Sequence, residues 1–341
     1  MMHRICFIGG DGIGPELVEH GRRVLDALGL AYEASEASAG YECFERSGTS
    51  LPDETVEAVR SADAVLFGAI TSPPNLQNYR SPIVRLRQEL ELYANLRPCR
   101  SYPNVNAIAR EVDLVIVREN TEGMYSGRER REGEQAVGER VISRKGSERI
   151  VKFAYDYAVR HGRRKVAVVH KANVLRETCG LFREVALEVA KEYAQVETEE
   201  VIVDAMAMRL VKQPQAFDVI VTTNLFGDIL SDEAAALIGG LGMAPSANLG
   251  EGTPIFEPAH GSAPKYAAQD RVNPCATLLS ACMMLEELGE QERAERLHNA
   301  IVHVLSEGRV LTKDLGGNAK TSEMVDAIIA NMQREGKRRE P

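Results

Sequence analysis

The hydrophobic pattern of this 341-residue chain alternates between two periods along most of its length, and this constrains the fold more than any other feature. Continuous apolar runs bounded by turn residues are typical of buried strands, whereas a period of about 3.6 residues is typical of amphipathic helices. The strand patterns are RICFIGG, ADAVLFGAI, VDLVIVREN, RKVAVVHKAN and FDVIVTTNLFG. The helix patterns are PELVEHGRRVLDALG, SPIVRLRQELELYANLRP, ERIVKFAYDYAVRHG, GLFREVALEVAKEYA, DILSDEAAALIGG, CATLLSACMMLEELG and ERAERLHNAIVHVLSEG. This alternation predicts an α/β protein with a substantially parallel sheet.

One segment, residues 123–144, interrupts the alternation. Its sequence, GMYSGRERREGEQAVGERVISR, is polar and contains several glycines. The segment is compatible with a hairpin arm that reaches a partner subunit, and equally with a mobile surface loop. Periodicity does not separate the two interpretations, and both stay open here.

Composition narrows the class of function. The net charge is −9, with 44% hydrophobic residues, and the length suits one large or two ordinary domains. An acidic chain is a poor partner for nucleic acid, because binding to phosphates needs a basic face. A small anionic substrate remains compatible, since a few arginines can form a positive pocket on an acidic protein.

The cysteines and the N-terminus indicate the compartment. The six cysteines stand singly without a CxxC spacing, so neither a zinc site nor a disulfide framework is predicted. The first residues, MMHRICFIGGDGIG, lack a signal-peptide pattern, and no apolar run approaches the roughly 18 residues of a membrane span. We expect a soluble cytoplasmic protein that has reduced thiols and no membrane partner.

The motif GGDGIGPE follows the first strand pattern and precedes a helix. Such a turn is similar to the phosphate-binding loop of dinucleotide-binding folds, but here the glycines follow a GxGxG spacing at Gly10, Gly12 and Gly14. The third glycine of that fingerprint is therefore missing. A tight strand-to-helix turn without a phosphate site explains the motif as well.

Arginines and acids at the predicted strand ends form two further candidate sites. Arg87, Arg97 and Arg118 could bind a di- or tricarboxylate through forked hydrogen bonds, although surface ion pairs are the commoner role of a single arginine. The second set contains Lys171, Asp204, Asp228 and Asp232. Carboxylates at the carboxyl ends of strands favour a site for a hard divalent cation, and two solvated surface acids are the alternative.

Long motifs along most of the chain resemble those of the β-decarboxylating dehydrogenases, the family of isocitrate, homoisocitrate and 3-isopropylmalate dehydrogenases. These motifs are GDGIGPE, LYANLRP, VRENTEGMYSG, HKANV, VDAMAMRLV, TTNLFGDILSDEAAALIGGLGMAPSANLG and EPAHGSAP. The resemblance implies an isopropylmalate-dehydrogenase-like fold, with two domains that share a large central sheet and no true Rossmann fold. Residues 1–98 and 246–341 would form the large, cofactor-side domain, and residues 99–245 the small domain. The arm at about 123–144 would then serve a homodimer with shared active sites, and a higher oligomer stays open.

The same resemblance implies a mechanism. Asp228 and Asp232, with Asp204 from the partner subunit, would bind Mg2+ or Mn2+. The ion would chelate the substrate's 2-hydroxyl and its neighbouring carboxylate. Lys171, also from the partner, would assist removal of the hydroxyl proton while hydride passes to the nicotinamide. After loss of CO2, Tyr125 would protonate the enol as general acid.

The substrate-binding residues implied by the resemblance are Arg80, Ser81, Ile83, Val84, Arg87, Arg97, Arg118 and Asn173. Within them, the stretch YRSPI most resembles archaeal-type homoisocitrate dehydrogenases. Arg80 and Ser81 suit an extra carboxylate, whereas Ile83 and Val84 could contact an isopropyl group. We therefore expect a tricarboxylate, homoisocitrate or isocitrate, with 3-isopropylmalate as the alternative.

The cofactor-binding residues implied by the resemblance are Ser72, Glu257, His260, Gly261, Ser262, Ala263, Lys265, Tyr266, Val272 and Asn273. Lys265 and Tyr266 stand where NAD-linked members have an aspartate, and a lysine with a phenol suits a 2′-phosphate. The pattern departs from NADP-linked members at Lys313, where they have a tyrosine, and at Gly317, where they have an arginine. We expect NADP, with NAD as the alternative.

Two other classes of protein fit parts of the pattern. An inactive regulatory subunit would be expected to lack a catalytic residue, yet the tyrosine, the lysine and all three aspartates are present. A hydroxy-acid dehydrogenase with a true Rossmann site and no metal would be insensitive to EDTA, and the glycine spacing already disfavours it.

Overall fold

The computed structural model describes residues 2–73, 76 and 78–339, with side chains described through residue 334. The strands are β1 (His3–Gly10), β2 (Tyr32–Ala37), β3 (Ala64–Ala69), β4 (Ala94–Arg100), β5 (Asp113–Glu119), β6 (Glu129–Glu132), β7 (Gln135–Gly138), β8 (Lys165–His170), β9 (Glu197–Ile202), β10 (Val219–Thr222), β11 (Pro245–Leu249) and β12 (Ile255–Pro258). The helices are α1 (Gly14–Ala27), α2 (Tyr41–Ser47), α3 (Asp53–Ser61), α4 (Pro82–Glu89), α5 (Arg144–Arg160), α6 (Thr178–Ala190), α7 (Val203–Lys212), α8 (Asn224–Leu237), α9 (Cys275–Glu287), α10 (Gln291–Glu307) and α11 (Thr321–Arg339).

A 10-stranded sheet runs through the molecule in the order β2-β1-β3-β12-β11-β4-β5-β10-β8-β9. The strands are parallel on both flanks, whereas the central pairs β12–β11, β11–β4 and β4–β5 are antiparallel. The predicted α/β class is confirmed, and most strand pairs are parallel as predicted, although the parallel pairs lie on the flanks. The antiparallel centre was not predicted, and it distinguishes this sheet from a Rossmann sheet.

The predicted domain segments occupy different flanks of this sheet. Segments 1–98 and 246–341 contain strands β1, β2, β3 and β12 and most of β4 and β11. Segment 99–245 contains β5, β8, β9 and β10. The sheet continues from one flank to the other through the β4–β5 pair. The division into two domains therefore stays a prediction.

Helices cover the sheet and form the core with it. Helix α9 is buried on nearly every side, because it packs against β3, β11, β12 and α1. On the other flank, α5 packs against β5, β8 and β10, while α8 packs against α7 and against β4 and β5. The position of α8 matters for function, since it brings the two aspartates of the motif DILSDE, Asp228 and Asp232, to the junction between the flanks.

The predicted helix over residues 81–98 was wrong in its second half. Helix α4 ends at Glu89, Glu91 adopts a left-handed conformation with φ of 48°, and the amide of Leu92 donates to the carbonyl of Arg87 at 2.8 Å. This is a helix C-terminus of the Schellman type. The stretch ANLRPCR then forms β4, because it fills the centre of the sheet between β11 and β5.

Other boundaries also differ from the sequence patterns. The predicted strand FDVIVTTNLFG continues only to Thr222, and helix α8 already begins at Asn224. The polar segment 123–144 contains the hairpin β6–β7. That this hairpin reaches a partner subunit stays a prediction. None of the helices in the described part of the chain combines the length and the apolar character that a bilayer crossing requires.

Candidate functional site

Three buried arginines converge at the junction of the two flanks. Arg87 lies in the last turn of α4, Arg97 in β4 and Arg118 near the end of β5, with exposed fractions of 6%, 8% and 1%. Burial first, and then the repulsion from Arg97, lower the pKa of Arg118 to about 10. Such a concentration of buried positive charge is costly unless anions balance it.

Asp228 and Asp232 supply part of the balancing charge. Arg118 donates to Asp228 through a short hydrogen bond, and Arg97 approaches Asp228 at 3.6 Å and Asp232 at 3.3 Å. The two acids are not solvated surface residues without partners. Their spacing on one face of α8 lets both reach the arginines. The contacts therefore disfavour the alternative interpretation, in which both aspartates are solvated surface acids.

The two carboxylates have opposite pKa shifts. Burial acts to raise the pKa of Asp228, but Arg118, the hydroxyl of Tyr125 and Arg97 outweigh it and hold the pKa below its ordinary value. Burial raises the pKa of Asp232, and the charge of Asp228 adds to that effect, while Arg97 opposes it. Asp228 is thus stabilised as an anion, whereas Asp232 carries a charge that a further cation would stabilise.

Tyr125 adjoins this cluster. It lies in a 3-10 turn between Gly123 and Gly127, both of which have positive φ, and its hydroxyl donates a short hydrogen bond to Asp228. The guanidinium of Arg118 lies over its ring, 5.0 Å from the centroid. Burial, followed by the hydrogen bond to Asp228, raises the pKa of Tyr125. The phenol therefore keeps its proton at neutral pH and is suited to act as a proton donor.

Lys171 and Asp204 lie apart from the arginine cluster. Lys171 follows β8, Asp204 lies in the first turn of α7, and the two side chains form an ion pair. Their side chains are 25% and 67% exposed, and among the described residues no hydrogen bond or ion pair joins them to Asp228 or Asp232. The structure of one chain thus separates the predicted catalytic set into two halves. Asn173, beside Lys171, is exposed.

A buried polar network, absent from the sequence predictions, positions two of the arginines. The Nε atom of Arg97 donates to Asn95 at 2.7 Å, and the amide of Asn95 donates to Asn248 at 3.1 Å. The amide of Asn248 donates to Glu257 at 2.9 Å, and Glu257 also accepts from Arg87 at 2.7 Å. Asn95 and Asn248 are fully buried. Asparagine is uncommon in strand interiors, so ANLRP and SANLG carried a signal for this network.

The glycine motif after β1 forms a structural turn. The amide of Asp11 donates to the carbonyl of Ala69 at 2.7 Å, and the amide of Ile13 donates to the carbonyl of Ser262 at 2.9 Å. A Cβ atom at Gly12 would lie 2.2 Å from the Ser262 carbonyl, so glycine is required there. Two amides of the turn are therefore used within the protein, which supports the tight-turn interpretation of GGDGIG over a phosphate-binding loop.

The predicted cofactor residues cluster beside this turn, in residues 257–273. The hydroxyls of Ser262 and Thr71 lie 2.6 Å apart, and Ala263 adopts a left-handed conformation with φ of 37°. The Nε2 atom of His260 is buried and has no hydrogen-bond partner among the described residues. An orphaned polar atom of this kind fits a polar ligand. Ser72 and Gly261 are exposed, whereas Glu257 is buried in the network with Arg87.

Two predicted cofactor residues are engaged in structural contacts. The side chain of Asn273 accepts from the amide of Cys275 at the start of α9 and donates to Asp314 at 3.0 Å. The carbonyl of Val272 accepts from the hydroxyl of Thr321 at 2.7 Å. Lys265 is exposed, with its Nζ atom 4.7 Å from the centre of the Tyr266 ring.

The residues that would choose the substrate surround the start of α4. Ser81 precedes the helix, and its hydroxyl makes no capping hydrogen bond, while Arg80 is exposed. Ile83 is only 7% exposed and belongs to an apolar cluster with Leu86, against which Val84 packs.

Comparisons with known proteins identify the family. A model of the isocitrate/isopropylmalate dehydrogenase family matches residues 4–328. The chain is 52% identical over 330 residues to an isocitrate/homoisocitrate dehydrogenase of Thermus thermophilus, covering 96% of this chain and 98% of that one. It is 49% identical over 330 residues to a 3-isopropylmalate dehydrogenase of Methanothermobacter thermautotrophicus, covering 97% and 98%. The crystal structure of isocitrate dehydrogenase from Methylococcus capsulatus superposes with a TM-score of 0.94 at 46% identity, covering 97% of this chain and all of that one.

The chain belongs to the isocitrate/isopropylmalate dehydrogenase family. The predicted fold is confirmed, and so is the predicted class of enzyme, an NAD(P)-dependent dehydrogenase that carries out oxidative decarboxylation. Members of this family use NAD(P) and a divalent metal ion, and they act on small carboxylates. The metal-independent Rossmann dehydrogenase is thereby excluded as an alternative.

Proposed function

We propose that this protein catalyses the NADP-dependent oxidative decarboxylation of a tricarboxylate, homoisocitrate or isocitrate, with Mg2+ or Mn2+. One observation carries the proposal: three buried arginines, two carboxylates and a protonated phenol meet at one place in the fold. The relative named for 3-isopropylmalate is nearly as similar as the one named for isocitrate and homoisocitrate. The choice of substrate therefore rests on the residues of the site.

The arginines would bind the malate part of the substrate. Arg87, Arg97 and Arg118 are held by Glu257, Asn95 and Asn224, so their positions are fixed before the substrate arrives. Preorganised forks bind carboxylates with two hydrogen bonds each and lose little conformational entropy.

The donor set fits a hard divalent cation but is incomplete in one chain. Asp228 and Asp232 offer carboxylate oxygens on one face of α8, and Asp204 lies elsewhere, paired with Lys171. A second copy of the chain that contributed its Asp204 would complete the set. When bound, the ion would acidify the substrate hydroxyl and polarise the carbonyl that forms from it.

An exposed apolar surface supports such a homodimer. Met208 and Val211 of α7 are 55% and 57% exposed, Ile229 of α8 is 59% exposed, and α7 packs beside α8. Val174, 65% exposed, follows Lys171 in the chain. An exposed apolar surface next to half of a catalytic set favours a second copy as its occupant. Lys171 and Asp204 would then face the Asp228 of the other subunit.

In the assembled site, the chain's own residues would move two protons. Lys171 would assist removal of the proton of the substrate hydroxyl, and a bound nicotinamide would supply the hydride acceptor. Tyr125 would donate its proton to the enol carbon after CO2 has left, since its raised pKa keeps it protonated. Arg118, beside Tyr125, would bind the substrate carboxylate that is later lost as CO2.

The surroundings of α4 support a tricarboxylate. The side chain of Ile83 is packed in the core, so the accessible part of this segment consists of Arg80 and Ser81 together with part of Val84. An exposed arginine followed in the chain by a serine whose hydroxyl does not cap the helix suits a third carboxylate better than an isopropyl group. The alternative, 3-isopropylmalate, would have to use Val84 as its main apolar contact.

Lys265 and Tyr266 support NADP over NAD. A lysine at the start of this loop attracts a 2′-phosphate, and no carboxylate is bonded to it in the described part of the chain. Gly317 cannot be replaced by the arginine of NADP-linked relatives without a backbone shift, because a Cβ atom there would lie 2.0 Å from the carbonyl of Leu311. The phosphate would therefore depend on the loop 264–272.

Initial rates test the proposal. Isocitrate, homoisocitrate and 3-isopropylmalate are offered separately with Mg2+ and NADP or NAD, with EDTA as the metal control and NADPH absorbance as the readout. We expect a tricarboxylate with NADP to give the highest kcat/KM and EDTA to abolish the rate. Preference for 3-isopropylmalate would contradict the substrate, and preference for NAD would contradict the cofactor.

A double variant tests the role of α4. Arg80→Ala with Ser81→Ala should lower kcat/KM for the tricarboxylate about 10- to 100-fold and leave 3-isopropylmalate nearly unchanged, because only the extra carboxylate is affected. Arg60→Ala, an exposed arginine on α3, is the matched control. The opposite pattern would place the specificity in the apolar residues.

A further inference from the structure

The Tyr266 ring is flanked by two cations, of which the sequence pattern indicated one. The Nζ atom of Lys265 lies 4.7 Å from the ring centre, and the guanidinium carbon of Arg271 lies 5.3 Å from it. Arg271 is exposed, and its Nη1 atom approaches the side-chain oxygen of Gln269 at 3.5 Å. Gln269 in turn donates to the carbonyl of Lys265 at 2.6 Å. The loop therefore holds both cations beside one aromatic ring.

Neither cation is neutralised within the described part of the chain. Lys265 and Arg271 form no ion pair there, although an acid, Asp270, stands next to Arg271. The carboxylate of Asp270 accepts instead from the amide and the hydroxyl of Ser322, both at 2.7 Å. The acid is thus bonded to the start of α11, and the two positive groups remain available to a ligand.

The backbone on both sides of Arg271 is anchored. The carbonyl of Asp270 accepts from the amide of Thr321 at 3.2 Å, and the carbonyl of Val272 accepts from the hydroxyl of Thr321 at 2.7 Å. An arginine on an anchored backbone, with its side chain against a ring, loses less conformational entropy on binding than one on a free loop. This arrangement suits recognition of a compact anion.

We infer that Arg271 is a second cation for the 2′-phosphate of NADP, acting with Lys265 beside the ring of Tyr266. This inference rests on the proposed cofactor. A phosphate with about two negative charges is bound more strongly by two cations than by one, and a guanidinium can donate two parallel hydrogen bonds to it. NAD, which has a hydroxyl in place of that phosphate, gains nothing from Arg271.

Binding measurements on the full-length protein, without substrate, test the inference. The dissociation constants of NADP+ and of NAD+ are measured by isothermal titration calorimetry for the wild type and for Arg271→Ala. We expect the variant to bind NADP+ about tenfold more weakly, as is typical for the loss of one charge-assisted contact, and to bind NAD+ within about twofold of the wild type. Arg271→Lys should lie in between, and added salt should reduce the difference.

The matched control is Arg164→Ala, which removes the same charge from an exposed arginine outside the loop. If Arg271→Ala leaves NADP+ binding unchanged, or weakens both cofactors equally, the inference is wrong, and the equal loss would indicate a structural role for Arg271. If the wild type itself binds NADP+ no more tightly than NAD+, the proposed cofactor is wrong, and the inference falls with it.

Discussion

The two halves of the candidate active site differ in how they are held. Arg118 is buried, and hydrogen bonds join it to Asn224 and Asp228 and join Asp228 to Tyr125. The side chains of Lys171 and Asp204, by contrast, are 25% and 67% exposed, and within the described part of the chain each has only the other as an ion-pair partner. A buried network is fixed by its own chain, whereas an exposed pair beside an apolar surface gains a fixed position only from a partner. Under the proposed function, one chain would prepare the substrate pocket, and a second copy would supply Lys171 and Asp204.

The strongest test of this comparison is complementation between two inactive variants. Lys171→Met and Asp228→Asn should each lower kcat by about 10³-fold or more, because each removes a group that acts on the reacting atoms. If the halves come from different subunits, co-expressed variants should recover about one quarter of the wild-type rate, since half of the dimers are mixed and each has one intact site. Each variant expressed alone is the control.

Absence of recovery in mixed dimers, confirmed by mass spectrometry, would show that both halves of a site come from one chain. A near-normal rate in either single variant would contradict the assigned roles of Lys171 and Asp228.

A buried network should also be costly to interrupt. Asn248→Ala removes an amide that bonds Glu257 and accepts from Asn95 and Asn120, so the free energy of unfolding should fall by about 1–3 kcal/mol. Urea denaturation of this variant is compared with that of Asn299→Ala, an exposed asparagine on α10, which should change by less than about 0.5 kcal/mol. Equal effects would mean that the buried network adds nothing to stability.

The contribution of Asp228 to the stability of the fold should disappear at acidic pH. Its pKa in the folded protein is held below the ordinary value, so its ion pair with Arg118 stabilises the fold at neutral pH and is lost as the pH falls through that lowered pKa. We expect Asp228→Asn to unfold about 1–2 kcal/mol more easily than the wild type at pH 7, with the gap closing below about pH 4. Urea denaturation across this range measures it, and a gap independent of pH would contradict the assignment.

The smallest expected effect on the free energy of unfolding is an increase, caused by a substitution of Asp232. The pKa of Asp232 is raised, so its charged form destabilises the fold once the pH exceeds that raised value. Because its side chain is 55% exposed, solvent screens the effect, and Asp232→Asn should stabilise the protein at pH 7 by only about 0.2–0.5 kcal/mol. The same variant should lose its response to Mg2+. Stabilisation without that loss would mean that Asp232 does not bind the metal.

The sequence predicted the flanks of the sheet better than its centre. Val115, Val168 and Ile220 lie in apolar runs that are buried on both faces, and such runs indicate parallel strands directly. The stretch ANLRPCR carries two arginines and a proline and follows a helix without a break in periodicity, so its place in the sheet depends on tertiary contacts with β11 and β5. Local pattern could not reveal it.

The sequence predicted which residues belong to the candidate site, but it did not predict how their side chains contact one another. The motifs indicated Arg118, Asp228 and Tyr125, and the structure brings these three into contact. Arg271 was missed because its proximity to Tyr266 depends on how the loop turns, and Asn248 was missed because its partners come from distant strands. Spacing along the chain does not encode such contacts.

The burial of Ile83 has a consequence for how this enzyme can evolve. Its side chain fills a core cluster with Leu86, so exchanging it for a polar residue would bury an unsatisfied group and risk unfolding. Arg80 and Ser81, three and two positions before Ile83, are more exposed and can change at little cost in stability, within about 0.5 kcal/mol. If Arg80 and Ser81 line the substrate pocket as proposed, new substrate preferences would be accessible through single substitutions there, while Ile83 stays constrained by the fold.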